Sequence, residues 1–288
     1  MSGEVAVQAP SLTRKRVRRR ASVSVILAGA WLAIVLALVV AGSALAPNSP
    51  DEQDIITGLS GPGAEHLLGT DELGRDILSR VMAGAQTPVL GAIAIALGAM
   101  FISVTFGLIA GYIGGFTESL TMRTVDALLA LPALLVIVVI VGSFDGGYTI
   151  AVPLLALLAA PWDTRIIRSV TLEQKPRAYI EAAKVMGLSS RRIMVSHVLP
   201  NVMPLIVVNL ALDFTFGLVS LAGLSFLGVG VNPGDADWGR MLFENRDLLN
   251  VNPWAALAPA IVILLTAAAA NVVGDWVFER IDARGRAR

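Results

Sequence analysis

Six apolar stretches leave this sequence few ways to fold. They run Ser22–Leu45, Thr87–Tyr112, about Met122–Gly142, about Gly147–Ile167, Leu205–Leu227 and Trp254–Phe278. Most hold the ~20 predominantly apolar residues that a helix needs to cross a hydrocarbon core of ~30 Å. The fourth is the weakest, because its clean run, Tyr148–Pro161, is short. It reaches span length only through Asp163 and Arg165, whose side chains are expected to snorkel to the interface. Only 15% of the residues are charged, against about 25% in an ordinary soluble domain. The expected fold class is therefore an all-α, six-span membrane protein.

Charge in the connections orients the spans. Six bases (Arg14, Lys15, Arg16, Arg18, Arg19, Arg20) and one acid, Glu4, precede the first span. The segment 46–86 carries seven acids and two bases, 162–204 seven bases and three acids, and 228–253 four acids and two bases. The tail after Phe278 has four bases and two acids. With six spans, every basic segment falls on one side and both acidic ones on the other. That predicts two cytoplasmic termini in a multi-pass protein of the cell membrane. Ala44-Leu45-Ala46 also reads as a signal-peptide cleavage site. The apolar run before it is too long for a leader, and Pro47 impedes cutting, so an uncleaved first helix is expected.

The polar island Arg177–Asn201 interrupts this pattern. Tyr179–Met186 is rich in helix formers, and Gly187 is suited to end that helix left-handed. Ser189 or Ser190 caps a second helix from Arg191 toward Leu199, and Pro200 punctuates the approach to the fifth span. Arg191 and Arg192 suit lipid headgroups or an acidic protein surface. From the physics alone, a simple interfacial anchor is as good a reading as a docking element.

The motifs resolve that ambiguity. Glu181-Ala182-Ala183, then Gly187, then Leu199-Pro200 resemble the EAA signature of ATP-binding-cassette importer permeases. His197, where many permeases carry Ile, is similar to the peptide and nickel branch. His66–Asp76 (HLLGTDELGRD) with Leu78-Ser79-Arg80 resembles the extracytoplasmic signature of dipeptide/oligopeptide permease C subunits, and Pro50–Asp54 the segment before it. Leu224–Val231, Trp238-Gly239, Met241-Leu242 and Asn271–Asp275 resemble later blocks of the same family.

The resemblance implies a type I importer transmembrane domain, one half of a heterodimeric pore for di- or oligopeptides. The chain would divide into a basic N-terminus (1–21), a first transmembrane helix (22–45) and an extracytoplasmic segment (46–86). A permease core of five helices (87–278) with a coupling loop (168–204) and a cytoplasmic tail (279–288) would follow. Implied partners are a B-type permease, two cytoplasmic ATP-binding subunits, an extracytoplasmic solute-binding protein and membrane lipid, with no nucleic acid. ATP and Mg would sit on partner subunits. The sequence contains no G-x-x-x-x-G-K-[ST] loop, and its two histidines, His66 and His197, fall on opposite sides, so neither enzyme activity nor a metal or other cofactor in this chain is expected. Nickel-chelate or glutathione permeases are same-fold alternatives. A membrane anchor or signalling subunit is the different-class alternative.

Glu181, Ala182, Ala183, Gly187, Arg191, Arg192, His197, Leu199 and Pro200 are the expected ATPase-coupling residues. Asp213, mid-way along the fifth span, is either pore-lining or a structural partner of Asn209. The small-residue spacing Gly107, Gly111, Gly115 serves packing within the chain or against the partner permease. The stretch Asp71–Met82 is expected to form an amphipathic helix. Its residues Asp71, Arg75 and Asp76 then cap the pore mouth or dock the binding protein. Asp237, Trp238 and Arg240, with Asp235, form a second candidate docking loop or part of the same cap. His66 is expected to be a structural hydrogen-bonding residue.

Overall fold

The computed structural model describes residues 22–55, 58–144, 146–232 and 234–285. The basic cluster at Arg14–Arg20 lies outside them. Among the described residues every named element is helical. Helix α1 (Val23–Leu45) is followed by the short α2 (Ile77–Ala83) and the long α3 (Gln86–Ile113). Then come α4 (Gly115–Leu129), α5 (Ala133–Phe144) and α6 (Gly147–Gln174). Two short helices, α7 (Ala178–Val185) and α8 (Ser190–Ile193), precede α9 (Leu199–Phe226), α10 (Trp238–Glu244) and α11 (Trp254–Gly285). Five helices are long and apolar enough to cross a membrane, or six spans if the bent pair α4–α5 is one.

The third span departs from expectation. A single helix over Met122–Gly142 is replaced by α4 and α5, which meet at 78°. Pro132 explains the break: it has no N–H to donate to residue 128, and its ring disfavours helical backbone before it. The released carbonyl of Leu128 accepts from Leu131 N instead (3.2 Å). Two ion pairs, Arg168–Glu118 and Arg165–Asp126, hold α4 against α6.

The core of the bundle is α3 packed along α6, with α9 beside both and α11 and α1 outside. Small residues bring α3 and α6 together. A Cβ on Gly107 would meet Ile167 Cβ at 2.9 Å, and one on Gly111 would meet Thr171 Cβ at 2.7 Å. Both glycines therefore serve packing within the chain, whereas Gly115 faces open space. Large apolar side chains such as Leu27, Val40, Phe101 and Leu135 remain exposed around the bundle. That distribution suits a surrounding of hydrocarbon rather than water.

The bundle has two built ends. At one, α7 and α8 lie across the ends of α3 and α6. At the other, the described residues of 46–76 fold with α2, α10 and the 3-10 turn Arg246–Asn250 into a cap. Ile77, Val81, Met241, Leu248 and Ala255 form its apolar centre.

Candidate functional site

The polar island between α6 and α9 is a defined local fold. Ile180 and Ala183 on α7 are buried in one cluster with Tyr112, Ile167, Ile193 and Val198. That inner face roots α7 on the bundle. Its outer face carries Glu181, Ala182 and Lys184 and ends in Val185 and Met186, which are 89% and 71% exposed. Gly187 stops the helix at φ +76°. Leu188 N donates to Ala183 O (3.2 Å) and Gly187 N to Lys184 O (2.9 Å). This pair of bonds is a Schellman closure, which satisfies the last carbonyls of the helix and needs a left-handed residue at that position.

Ser189 then caps α8, accepting from Arg192 N (3.4 Å). Arg191 and Arg192 are exposed. The helix does not stop at Pro200. It passes through a π turn, Met194–Val198, and continues as α9. The wider π turn absorbs the missing proline N–H, so Pro200 sits inside a continuous rod rather than before it. His197 lies in that turn with Nδ1 buried and unpartnered. Leu199 is half-buried and Pro200 exposed.

A strap not anticipated from the sequence ties this end together. Tyr179 donates its hydroxyl to Gln174 Oε1 (2.8 Å), and Asn201 Nδ2 donates to Tyr179 Oη (3.2 Å). The end of α6, the start of α7 and the start of α9 are thus joined through one phenol. Beside it lies a cleft of about 390 Å³ lined by Tyr112, Lys175, Lys184 and Ser190 among others.

Deeper in the bundle, Asp163 is 5% exposed and does not snorkel. Asn209 Nδ2 donates to Asp163 Oδ1 (2.9 Å), and Asp213 follows Asn209 by one turn on the same face of α9. The expected Asn209–Asp213 pairing along one helix gives way to a contact between α6 and α9. An acid in each of two apolar spans was the available signal.

The opposite end is an ionic cap. The predicted helix over Asp71–Met82 begins only at Ile77. Asp71 accepts from Leu73 N (2.9 Å) and Arg75 N (3.0 Å), and Gly74 adopts φ +74°. Asp76 caps α2 through Ser79 N (2.8 Å) and accepts from Ser79 Oγ, while His66 Nδ1 lies 2.9 Å from its other oxygen. Arg75 bridges Asp71 (2.6 Å) and Glu244 (2.9 Å). Arg80, 1% exposed, donates to the carbonyl of Gly234 (3.1 Å). Arg240 pairs with Glu244 (2.9 Å). Burial alone would raise the Glu244 carboxyl, but Arg240, Arg75 and Arg80 outweigh it and hold it below its ordinary value.

The loop expected to dock a partner through Asp237 and Trp238 buries both completely. Asp237 caps α10 through Arg240 N (3.0 Å) and accepts from the Tyr148 hydroxyl (3.0 Å). Burial pushes its carboxyl above the ordinary range, against the hydrogen bonds that favour its ionised form. Trp238 Nε1 donates to Val81 O (2.8 Å). Both side chains face inward and fasten the cap to α2, α6 and α9. Asp235, two residues earlier, stays exposed. Arg80, quoted only within the signature block, and Glu244 and Tyr148, given no role in the sequence reading, belong to this cap through partners such as Gly234, Arg75 and Asp237 that lie far along the chain.

Among the described residues no group of three or more His, Cys, Asp or Glu is arranged to hold a metal ion.

Residues 103–287 match the family described as "Binding-protein-dependent transport system inner membrane component". The chain is 34% identical to the oligopeptide transport system permease protein OppC of Mycobacterium tuberculosis, over 98% of this chain and 97% of that protein. It is 36% identical to the glutathione transport system permease protein GsiD of Pectobacterium atrosepticum, over 77% of this chain and 74% of that one. Among solved structures, a chain of the inward-facing MetNI methionine ABC transporter superposes with a TM-score of 0.52 at 18% identity. That likeness covers 67% of this chain and 94% of the other, and it concerns the fold alone.

Proposed function

This chain belongs to the binding-protein-dependent transport system inner membrane components, and from that premise we propose that it is the C-type permease subunit of an ATP-driven peptide importer. The end-to-end likeness to an oligopeptide permease carries the reading. The chain would supply half of the translocation path, a homologous B-type permease the other half. Two ATP-binding subunits would carry ATP and Mg and perform the hydrolysis, leaving this chain without catalytic work. A solute-binding protein would deliver the peptide on the outer side.

In this reading both termini and α7–α8 face the cytoplasm. Helix α7 is the coupling element. Its inner face is fixed to the bundle, so its exposed edge, with Glu181, Val185 and Met186, is free to enter a groove on one ATPase. Ala182 keeps that edge slim. Any displacement of α7 is passed to α6 and α9 together, because the chain and the Tyr179 strap connect all three. Closing of the ATPases then biases the pore between inward- and outward-facing states through differential binding at this loop. Asp71, Arg75, Asp76, Asp237, Trp238 and Arg240 hold the outer cap rather than touch the delivered peptide directly.

The relative at 36% identity that is named for glutathione transport favours one second reading, a permease for glutathione-like peptides. Reconstitution decides between them. The four-subunit membrane complex and its binding protein are placed in liposomes with internal ATP, and uptake of labelled di- and oligopeptides is measured against unlabelled glutathione. Saturable, ATP-dependent peptide uptake that glutathione does not compete is the expected result. Competition by glutathione would select the second reading. A chain that purifies without ATPases or a second permease would overturn both in favour of an anchor or signalling subunit.

A further inference from the structure

Asp163 on α6 and Asp213 on α9 sit inside the bundle, 5% and 8% exposed. Asn209, which donates to Asp163 Oδ1 (2.9 Å), precedes Asp213 by one turn on the same face of α9, so both carboxyls lie at the one α6–α9 contact. Asp163 Oδ1 is satisfied by Asn209, but Asp163 Oδ2 and Asp213 Oδ2 are buried and find no donor among the described residues. An ionised carboxylate can only accept hydrogen bonds. Two ionised groups here would leave both oxygens orphaned and press two like charges together away from water, a strongly unfavourable combination.

Among the described residues no neighbouring element supplies a counter-charge. On α6 itself, Arg165 and Arg168 turn to Asp126 and Glu118 of α4, and Arg123 of α4 enters none of the ion pairs around them. Helix α3 contains no charged residue, only Tyr112 at its far end, and α9 contains no other charged residue than Asp213. On α11, Asp275 and Glu279 are exposed, and Arg280 stacks on Trp276 at 4.0 Å.

A single proton removes the repulsion and gives the orphaned oxygens a bond, leaving one charge shared by the pair. One carboxyl then donates to the other, the orphaned oxygens gain a partner, and one of the two charges disappears. We propose that Asp163 and Asp213 form a proton-binding site that holds one proton between them and clasps α6 to α9. The two clasped helices are the ones that flank α7 and α8. Eleven residues separate Asp163 from the end of α6, roughly 16 Å along the helix. A movement of α7–α8 that parts α6 from α9 pulls on this hydrogen bond, and loss of the proton turns the clasp into a repulsion. The inference stands on the carboxyl geometry and does not require the ATPase docking described above.

Infrared spectroscopy of the whole permease complex in lipid nanodiscs, with carboxyl-labelled aspartate, tests it. The expected result is a label-sensitive carboxylic-acid C=O band at neutral pH that disappears in the Asp163→Asn/Asp213→Asn double variant, whose amides keep a hydrogen bond without a proton. The wild-type complex should lose thermal stability at alkaline pH as the band is lost, and the double variant should not. Absence of the band from the wild type overturns the proposal. So does a band that survives in the double variant, which would then belong to another acid such as Asp237. If the double variant does not assemble, the wild type alone decides. Coincident loss of band and stability supports the clasp, and an alkaline loss of stability with the band unchanged refutes it.

Discussion

Gly187 shows how much a single residue can fix. Its φ of +76° lies in the left-handed region, which costs a residue with a Cβ about 1–2 kcal/mol. No atom lies within 4 Å of the Cβ it lacks, so conformation and not space selects glycine here. Gly187→Ala should therefore lower ATP-coupled uptake at unchanged complex yield, and Gly187→Asn should retain more, since Asn tolerates this backbone. Equal uptake by all three proteins would remove the turn from the coupling path. At the other end, Glu244 is a carboxylate whose folded value lies below the ordinary 4.5. A lowered acid stabilises the fold fully above its unfolded value, and the contribution is lost as pH falls through the folded one. Glu244→Gln should lower the thermal midpoint near neutral pH, with the gap from the wild type closing in acid below about 4.5. A gap of constant size across that range would show that Glu244 acts without its charge. Gly187 was readable in advance because a helix end is local. Glu244 was only half readable: Arg240 is four residues away, but Arg75, which completes its ion pairing, stands 169 positions away.

At the scale of elements, α7 is a short amphipathic rod with a buried stripe and an exposed edge. Glu181 lies on that edge and makes no ion pair within the chain's described residues. Glu181→Lys should leave membrane insertion and yield intact while uncoupling ATP hydrolysis from uptake in reconstituted liposomes. Full uptake at normal yield would sink its docking role. The α4–α5 break makes a second case. Proline within a helix costs about 3 kcal/mol, so Pro132→Ala should let the two helices straighten. A pair of spin labels, one on each helix, should then report a longer separation, and an unchanged distance would assign the bend to packing instead. The apolar period placed α6, α9 and α11 within a few residues at their cap-side ends, but not the break in the third span or the continuation of α9 through the π turn. Those depend on which backbone bonds survive around Pro132 and Pro200.

The whole molecule is an apolar bundle closed at each end by a different chemistry, a rooted helical loop at one and an ionic cap at the other. The chain contains no cysteine, so single introduced thiols report topology without background. In intact cells a membrane-impermeant maleimide should label Glu65→Cys in the cap and spare Val185→Cys on α7, with the reverse in inside-out vesicles. Labelling of both from one side would discard the two-sided arrangement and, with it, the separation of peptide delivery from ATPase docking.

Hydrophobic length determined that the chain crosses a membrane, and the charge segregation predicted which connections share a side. Both are sums over local sequence and need no knowledge of neighbours. The motif blocks carried the family. Tertiary structure alone decided what the polar residues do, because a buried charge takes its role from whichever group the fold sets against it. Asp237 and Trp238, read as docking or cap residues, are interior fasteners of the cap, and Asp163, read as reaching for the interface, is buried against Asn209 of α9.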